Sequence, residues 1–180
     1  MPFINKLGGA APSRVAVGGQ IWTFGRSNAN GAMMDGTTSN RSSPAQVGSL
    51  TDWLYCASGD EEMFCVKTDK SMWHAGRATY GVNGLGNLTT YSSPVQVGSD
   101  LKWTSVASSG AAHAAVDDAG KLWTWGRNQV GQMGRGNTTN YSSPVQVGAL
   151  TDWYQLTGSI TGAHFHAIKT DGTLWAWGYN

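Results

Sequence analysis

The 180 residues hold 12 Lys and Arg against 11 Asp and Glu, a net charge of +1, with only 13% charged residues but 25 Gly and nine Trp. So balanced and scattered a charge gives no electrostatic footprint for nucleic acid or an acidic membrane surface, and the aromatic content excludes a disordered chain. No apolar run approaches the roughly 18 residues of a membrane span, so no membrane insertion is expected.

In chain order, residues 1–12 read as an N-terminal extension and 13–180 as a repeat domain. The opening MPFINKLGGAAPSR has no apolar core, so no signal peptide is expected. Gly18-Gly19 marks a hairpin corner, and IWTFG (21–25) reads as a half-buried strand. A polar, Gly-rich loop (26–43) follows, and SSP at 42–44 opens a short strand. Asp52-Trp53 begins the next strand. Cys56 and Cys65 then flank ASGDEEMF. If that loop closes a hairpin, the two face each other, and a cross-strand disulfide is one reading. The favoured one is a pair of small buried thiols, because Val106 and Ala115 stand at those places one repeat later and no secretory context is visible. Asp60, Glu61 and Glu62 read as a solvated turn. The next unit starts at MWHAG (72–76), where His74 takes the place of Thr124 and Ala176 and reads as a surface substitution.

The unit from 121 to 170 is the most regular. KLWTWG is a strand of period two; RNQVGQMGRGNTTNYSS is a long structured loop. PVQVG is a short strand with Pro144 expected at its first position, where a missing N–H is tolerated. DWYQLTGS is a third strand. FHAIK leads through Asp171-Gly172, a strong hairpin signal, into LWAWG.

The words recur. SSP stands at 42–44, 92–94 and 142–144, and Trp53, Trp103 and Trp153 keep the same spacing of 50. Units of 21–71, 72–121 and 122–173 follow, with an extra terminal strand at 174–180. About four short strands in each period of 40–50 residues indicate the blades of a β-propeller. The fold class is all-β, with four-stranded propeller-type blades and about 3–3.5 blades in the chain. A single blade cannot bury both faces of its sheet. Trp22, Trp53, Trp73, Trp103, Trp123, Trp125, Trp153, Trp175 and Trp177 are therefore expected as core anchors.

LWTWGRNQVGQMGRGNTTNYSSPVQVG followed by HAIKTDGTLWAWGYN resembles the repeat of the regulator of chromosome condensation family. TTNYSSPVQVG is similar to the bacterial and bacteriophage branch. The resemblance covers about 13–180, although GAMMDG and GVNGLG in the first two units have drifted from GQMGRG. It implies a propeller, usually a closed seven-bladed ring. With about three repeats the chain is too short for such a ring, so obligate association with a second copy or another protein is expected. It also implies that strand histidines such as His164, and the displaced His113, tie blades together.

Arg26, Arg77 and Arg127 recur directly after FG, AG or WG, with Tyr179 in the fourth place. With the loop residues Tyr91 and Tyr141 they are the candidate binding residues, as a row contacting an anion or a glycan. The favoured reading of the arginines is bland: solvated heads with their stems stacked on a Trp. His164 and His166 lie two apart on a strand, but spacing supplies no third metal ligand, so no metal is expected. No catalytic set, phosphate loop or cofactor motif is present. DAGKLW at 118–123 fits a sialidase Asp-box, itself only a hairpin turn.

The expected function is a non-enzymatic structural or binding module, a bacteriophage virion component such as a tail-fibre, tail-tip or capsid decoration protein. Its expected location is the virion. Expected partners are further copies or other virion proteins, and a host-surface glycan. A glycan-binding, lectin-like propeller is the alternative, and a guanine-nucleotide exchange factor is the remote one.

Overall fold

Leu122 to Trp125 form a strand, as their alternation requires, and this strand is the third of four in an antiparallel sheet. The structure, a computed structural model, describes residues 18–27, 29–159 and 161–179; the extension expected at 1–12 lies outside them. The first sheet pairs β1 (Trp22–Gly25) with β2 (Arg41–Gln46). The second runs β3 (Trp53–Ser58), β4 (Glu62–Lys67), β5 (Met72–Gly76) and β6 (Tyr91–Val97). The third runs β7 (Trp103–Ser109), β8 (Ala112–Asp117), β9 (Leu122–Gly126) and β10 (Tyr141–Gln146). The last holds β11 (Trp153–Gly158), β12 (His164–Lys169) and β13 (Leu174–Gly178). The array is an open, all-β stack of propeller-type blades.

Each full sheet takes its first two strands from one sequence unit and its last two from the next. β3 and β4 end the unit 21–71, while β5 and β6 open the unit 72–121. The first strands of neighbouring sheets lie side by side at the inner rim, β7 between β3 and β11. The Leu156 N–H donates across this seam to Ser105 Oγ at 3.1 Å.

The second and third sheets each show one face to the preceding sheet and one to the following sheet. The forward face of the second sheet (Phe64, Val66, Met72) packs on the backward face of the third (Trp103, Ala115, Trp125). Ala114, Val116 and Leu122 of the third pack in the same way on Trp153, Phe165 and Trp177 of the fourth. Between the first and second sheets, Val47 and Met34 meet Trp53, Cys65 and Ala75. Ala75 occupies the place of Trp125, and Met34, reaching from the preceding loop to Cys65 with 3.5 Å between sulfurs, fills the space.

Several expectations need correcting. Trp53, Trp103, Trp125 and Trp153 are buried, and Trp73, Trp123 and Trp177 are half-buried, but Trp22 and Trp175 are 55% and 48% exposed. The reason is positional: both lie on the end sheets, where no strand or sheet among the described residues covers them. Cys56 and Cys65 are directly opposite on β3 and β4 and form a disulfide, not two thiols. Their Val106–Ala115 equivalents are also direct partners, so the spacing carried the pairing and the substitution pattern concealed it. His74 is fully buried, not a surface residue, and Glu62 is buried too, unlike its turn neighbour Asp60. Pro144 sits inside β10, not at its start. β10 is the outer edge of its sheet, so one side of its backbone has no ladder to lose.

The hairpin corners show why Asp recurs before each third strand. Asp69 Oδ1 accepts from the Ser71 N–H and hydroxyl, and the Trp73 indole donates to Ser71 Oγ at 2.9 Å. Hydrogen bonds from the Ser71 hydroxyl and then its N–H hold the Asp69 carboxyl below the usual carboxylate range. Asp171, Thr173 and Trp175 repeat the arrangement. Each corner needs one left-handed residue, supplied by Gly120 and Gly172 (φ 74° and 85°), but by Lys70 (φ 66°) in the second sheet. A side chain in that region costs about 1–2 kcal/mol. Lys70→Gly should therefore raise stability by about 1 kcal/mol, seen as a rise of roughly 2–4 °C in the thermal midpoint. An unchanged midpoint would show that the Lys70–Asp118 contact, 3.5 Å at the surface, offsets the strain.

Candidate interaction surface of the blade loops

The third strand of the second, third and last sheets ends in a glycine at positive φ, at Gly76 (115°), Gly126 (97°) and Gly178 (114°). A Cβ on Gly76 would lie 2.4 Å from the Glu61 carbonyl, and one on Gly126 2.5 Å from that of Ala111. The close approach lets the next N–H donate to that same carbonyl: Arg77 to Glu61 and Arg127 to Ala111, with Tyr179 to Ala163 in the last sheet. The three side chains therefore leave equivalent sheets at equivalent points, as their spacing predicts.

Beyond each arginine the loop leans over the next sheet. The Gly36 N–H donates to the Ser92 carbonyl, and the Gly86 N–H to that of Ser142, the same bond one repeat later. The indoles of Trp125 and Trp177 donate backwards to the Val82 and Gln132 carbonyls at 2.9 and 3.0 Å. Each loop is thus fastened to the sheet that follows its own. Inside the third loop the buried Asn128 amide donates to the Asn137 and Thr139 carbonyls, and its oxygen accepts from the Met133 N–H. Asn140 Oδ1 accepts from the Asn128 N–H, and Asn40 Oδ1 from the Ser27 N–H. Sequence reasoning missed these asparagines. The 100-residue spacing of Asn40 and Asn140 before the SSP strands was the available signal.

The candidate side chains are engaged locally. Arg77 bonds Glu61 Oε2 at 3.0 Å and Thr79 Oγ1 at 2.8 Å. Arg127 bonds Gln129 Oε1 at 2.8 Å and lies 5.4 Å over the Tyr80 ring of the preceding loop. Its aromatic neighbour is thus a tyrosine where a tryptophan was expected. Arg26 is exposed, beside a hollow of about 490 Å3 lined by Ala29, Thr38, Ser39 and Asn40. Tyr91 and Tyr141 start the fourth strands opposite Gly76 and Gly126. The Tyr141 ring carries the Arg135 guanidinium at 5.2 Å, and its hydroxyl accepts from Asn137 at 3.4 Å. The structure thus brings Arg127 to Tyr80, and Tyr141 to Arg135, rather than the predicted residues to one another.

The acidic turn beside Arg77 is not uniformly solvated. Burial, then the Glu62 and Glu61 carboxylates, raises the Asp60 carboxyl above its ordinary range. Glu62 lies 3.4 Å from His113 Nε2 of the next sheet, and His113 Nδ1 is 3.0 Å from Ser108 Oγ. His113 therefore packs across two sheets, against the Phe64 ring at 4.6 Å and beside Glu62, while its hydrogen bond stays within its own sheet. His164 contacts the nearby Gly162 carbonyl instead, at 3.0 Å.

A second recurring pair escaped the sequence reading. Lys67 Nζ lies 4.8 and 4.9 Å over the rings of Trp53 and Trp73, and Lys169 4.9 and 4.7 Å over those of Trp153 and Trp175. Asp52 and Asp152 hold the ammonium groups at 3.3 Å. In the middle sheet Asp117 takes the lysine's place and accepts from the Trp123 indole at 2.9 Å.

Comparison with known proteins agrees with this architecture. The regulator of chromosome condensation (RCC1) repeat matches residues 119–159. No curated protein matches the chain. Human WBSCR16 is similar with a TM-score of 0.74 at 20% identity, over 90% of this chain and 43% of that one. Prp20p from Saccharomyces cerevisiae, described with its binding properties to Gsp1p and histones, gives 0.74 at 16% identity, over 89% and 41%. Yeast RCC1 (Prp20) bound to Kap60 gives 0.71 at 16%, over 89% and 40%. The chain spans about two fifths of the length of these structures. The RCC1 repeat match thus lies on one stretch of the chain, and the marker residues of that stretch recur in register through the other units.

Proposed function

We propose that the chain is a non-enzymatic binding module whose loops 26–40, 77–90 and 127–140 form one recognition surface for a protein partner. The observation that carries this is the fastening of each loop to the following sheet, which holds successive arginines at equivalent points without a flexible hinge. Rigid scaffolds that present variable loops are a common basis for recognition. The yeast relatives solved with Kap60, or described as binding Gsp1p and histones, are in keeping with protein partners for this fold.

The setting we propose is a bacteriophage virion, on the wording TTNYSSPVQVG, with location on the particle following from it. The lectin alternative is weaker. Sugar stacking needs an open aromatic face, and arginines already lie over the rings of Tyr80 and Tyr141.

The test is retention of a partner from the source by immobilised chain. Wild type should retain one saturable protein species, and Arg127→Glu should lose most of it with an unchanged thermal midpoint. Equal retention by both rejects the loop surface. Particles assembled without the protein should adsorb or look different; unchanged particles reject the virion setting.

A further inference from the structure

The interior of the array repeats one contact, forward face on backward face, three times. At the two ends the same register positions are uncovered. On the forward side Met72 and Leu122 are 0% and 1% exposed, whereas Leu174, their equivalent on β13, is 68% exposed. Val66 and Val116 are buried, whereas their equivalent Ile168 is exposed. On the backward side Trp125 is 0% exposed, whereas Phe24, at the same place on β1, is 66% exposed beside the exposed Trp22. The first sheet's remaining residues follow the interior pattern. Thr23 faces forward, is buried, and donates to the Met33 carbonyl as Thr124 does to that of Met133.

We propose that Trp22 and Phe24 of one copy dock on the forward face of the last sheet, around His166, Ile168 and Leu174, of a second copy of this chain. This goes beyond the loop surface proposed above and uses none of its residues. The occupant is identified by continuity with the interior interface. Phe24 stands where Trp125 stands, and His166 stands where Phe64 stands. In the interior those two rings meet edge to face, with centroids 5.4 Å apart. The receiving face also offers room: a hollow of about 590 Å3 runs beside His164, His166, Ala176 and Tyr179. An apolar surface of this kind, with large aromatic and aliphatic side chains in contact, is what interfaces bury at their centres. The contact is head-to-tail, so each copy keeps one forward and one backward face to offer, and further copies add in the same sense.

The experiment uses the chain of 180 residues with multi-angle light scattering over a concentration series. Wild type should gain mass with concentration. Phe24→Lys blocks only the backward face and Leu174→Lys only the forward face; both positions are exposed, so both variants should keep the wild-type thermal midpoint. Each alone should remain a monomer. Mixed in equal amounts, they should form a complex of one copy of each and nothing larger, through the one intact pair of faces. A wild type that stays monomeric at its highest soluble concentration, a single variant that still associates, or a mixture that does not combine overturns the proposal. Retention of a loop partner is unaffected in every case, so failure here is separate from failure of the loop surface.

Discussion

Trp125→Ala should lower stability by about 3–5 kcal/mol, the usual cost of removing a fully buried tryptophan. For a chain of this length that is a fall of roughly 10 °C in the thermal midpoint. Three losses combine. The ring packs between Phe64, His113 and Trp103, with centroids 5.4, 5.7 and 6.2 Å away, so its removal opens a cavity in the seam between the second and third sheets. Its indole holds the Val82 carbonyl, which is left without that donor. The loop 77–90 also loses one of its two fastenings, keeping the bond from Gly86 to Ser142. Trp125→Phe separates the effects: it keeps most of the volume and should cost chiefly the hydrogen bond, about 1 kcal/mol, plus a smaller cavity. Ala75 shows the condition under which alanine is tolerated at this register position, because there Met34 fills the space. Urea unfolding of both variants checks the ordering, and a Trp125→Ala midpoint within error of wild type would remove the tryptophans from the account of stability.

Acidification should destabilise the protein through His74 well before the carboxylates titrate. Its ring is buried on Phe64 at 4.8 Å. Burial, and then the neighbouring His113, lowers its pKa to about 3, which the Arg77 backbone offsets only in part. In the unfolded chain the same group titrates near 6.5. The unfolded state therefore binds the proton more readily. The stability that His74 contributes is complete above about pH 6.5 and is lost as the pH falls from there toward 3. At about 1.4 kcal/mol per pH unit, pH 4.5 should cost close to 3 kcal/mol. His74→Thr, the residue natural to position 124, should flatten the thermal midpoint between pH 6.5 and 4.5. An equal slope in wild type and variant would reject His74 as the cause.

Architecture was legible because it rests on repetition. Period-two alternation at Leu122–Trp125, the Asp-Gly corner and the spacing of 50 each specify backbone geometry, and backbone geometry recurs with the words. Side-chain partners were less legible, because they depend on what stands in the neighbouring sheet. His74 looked like a surface replacement since threonine and alanine share its place; its burial follows from Phe64, which belongs to the preceding unit, and from His113, which stands in the next sheet. The lysine between two tryptophans was hidden for the same reason, since Asp117 interrupts the series in the middle sheet. Trp22 and Trp175 carry the same motif as their half-buried counterparts Trp73 and Trp123, and their position at the ends leaves them more exposed. The arginine row was readable in place but not in partnership, because Tyr80 and Gln129 belong to loop wording that has drifted.

The stagger between sequence units and sheets has a consequence for how such a chain grows. Every sheet joins the end of one unit to the start of the next, so a tandem duplication of about 50 residues, wherever its breakpoint falls, delivers one whole extra sheet and splits none. Recombination within the gene can therefore lengthen or shorten the polypeptide by complete layers, and the disulfide, the drifted loops and the displaced histidine would each travel as a unit with the segment copied.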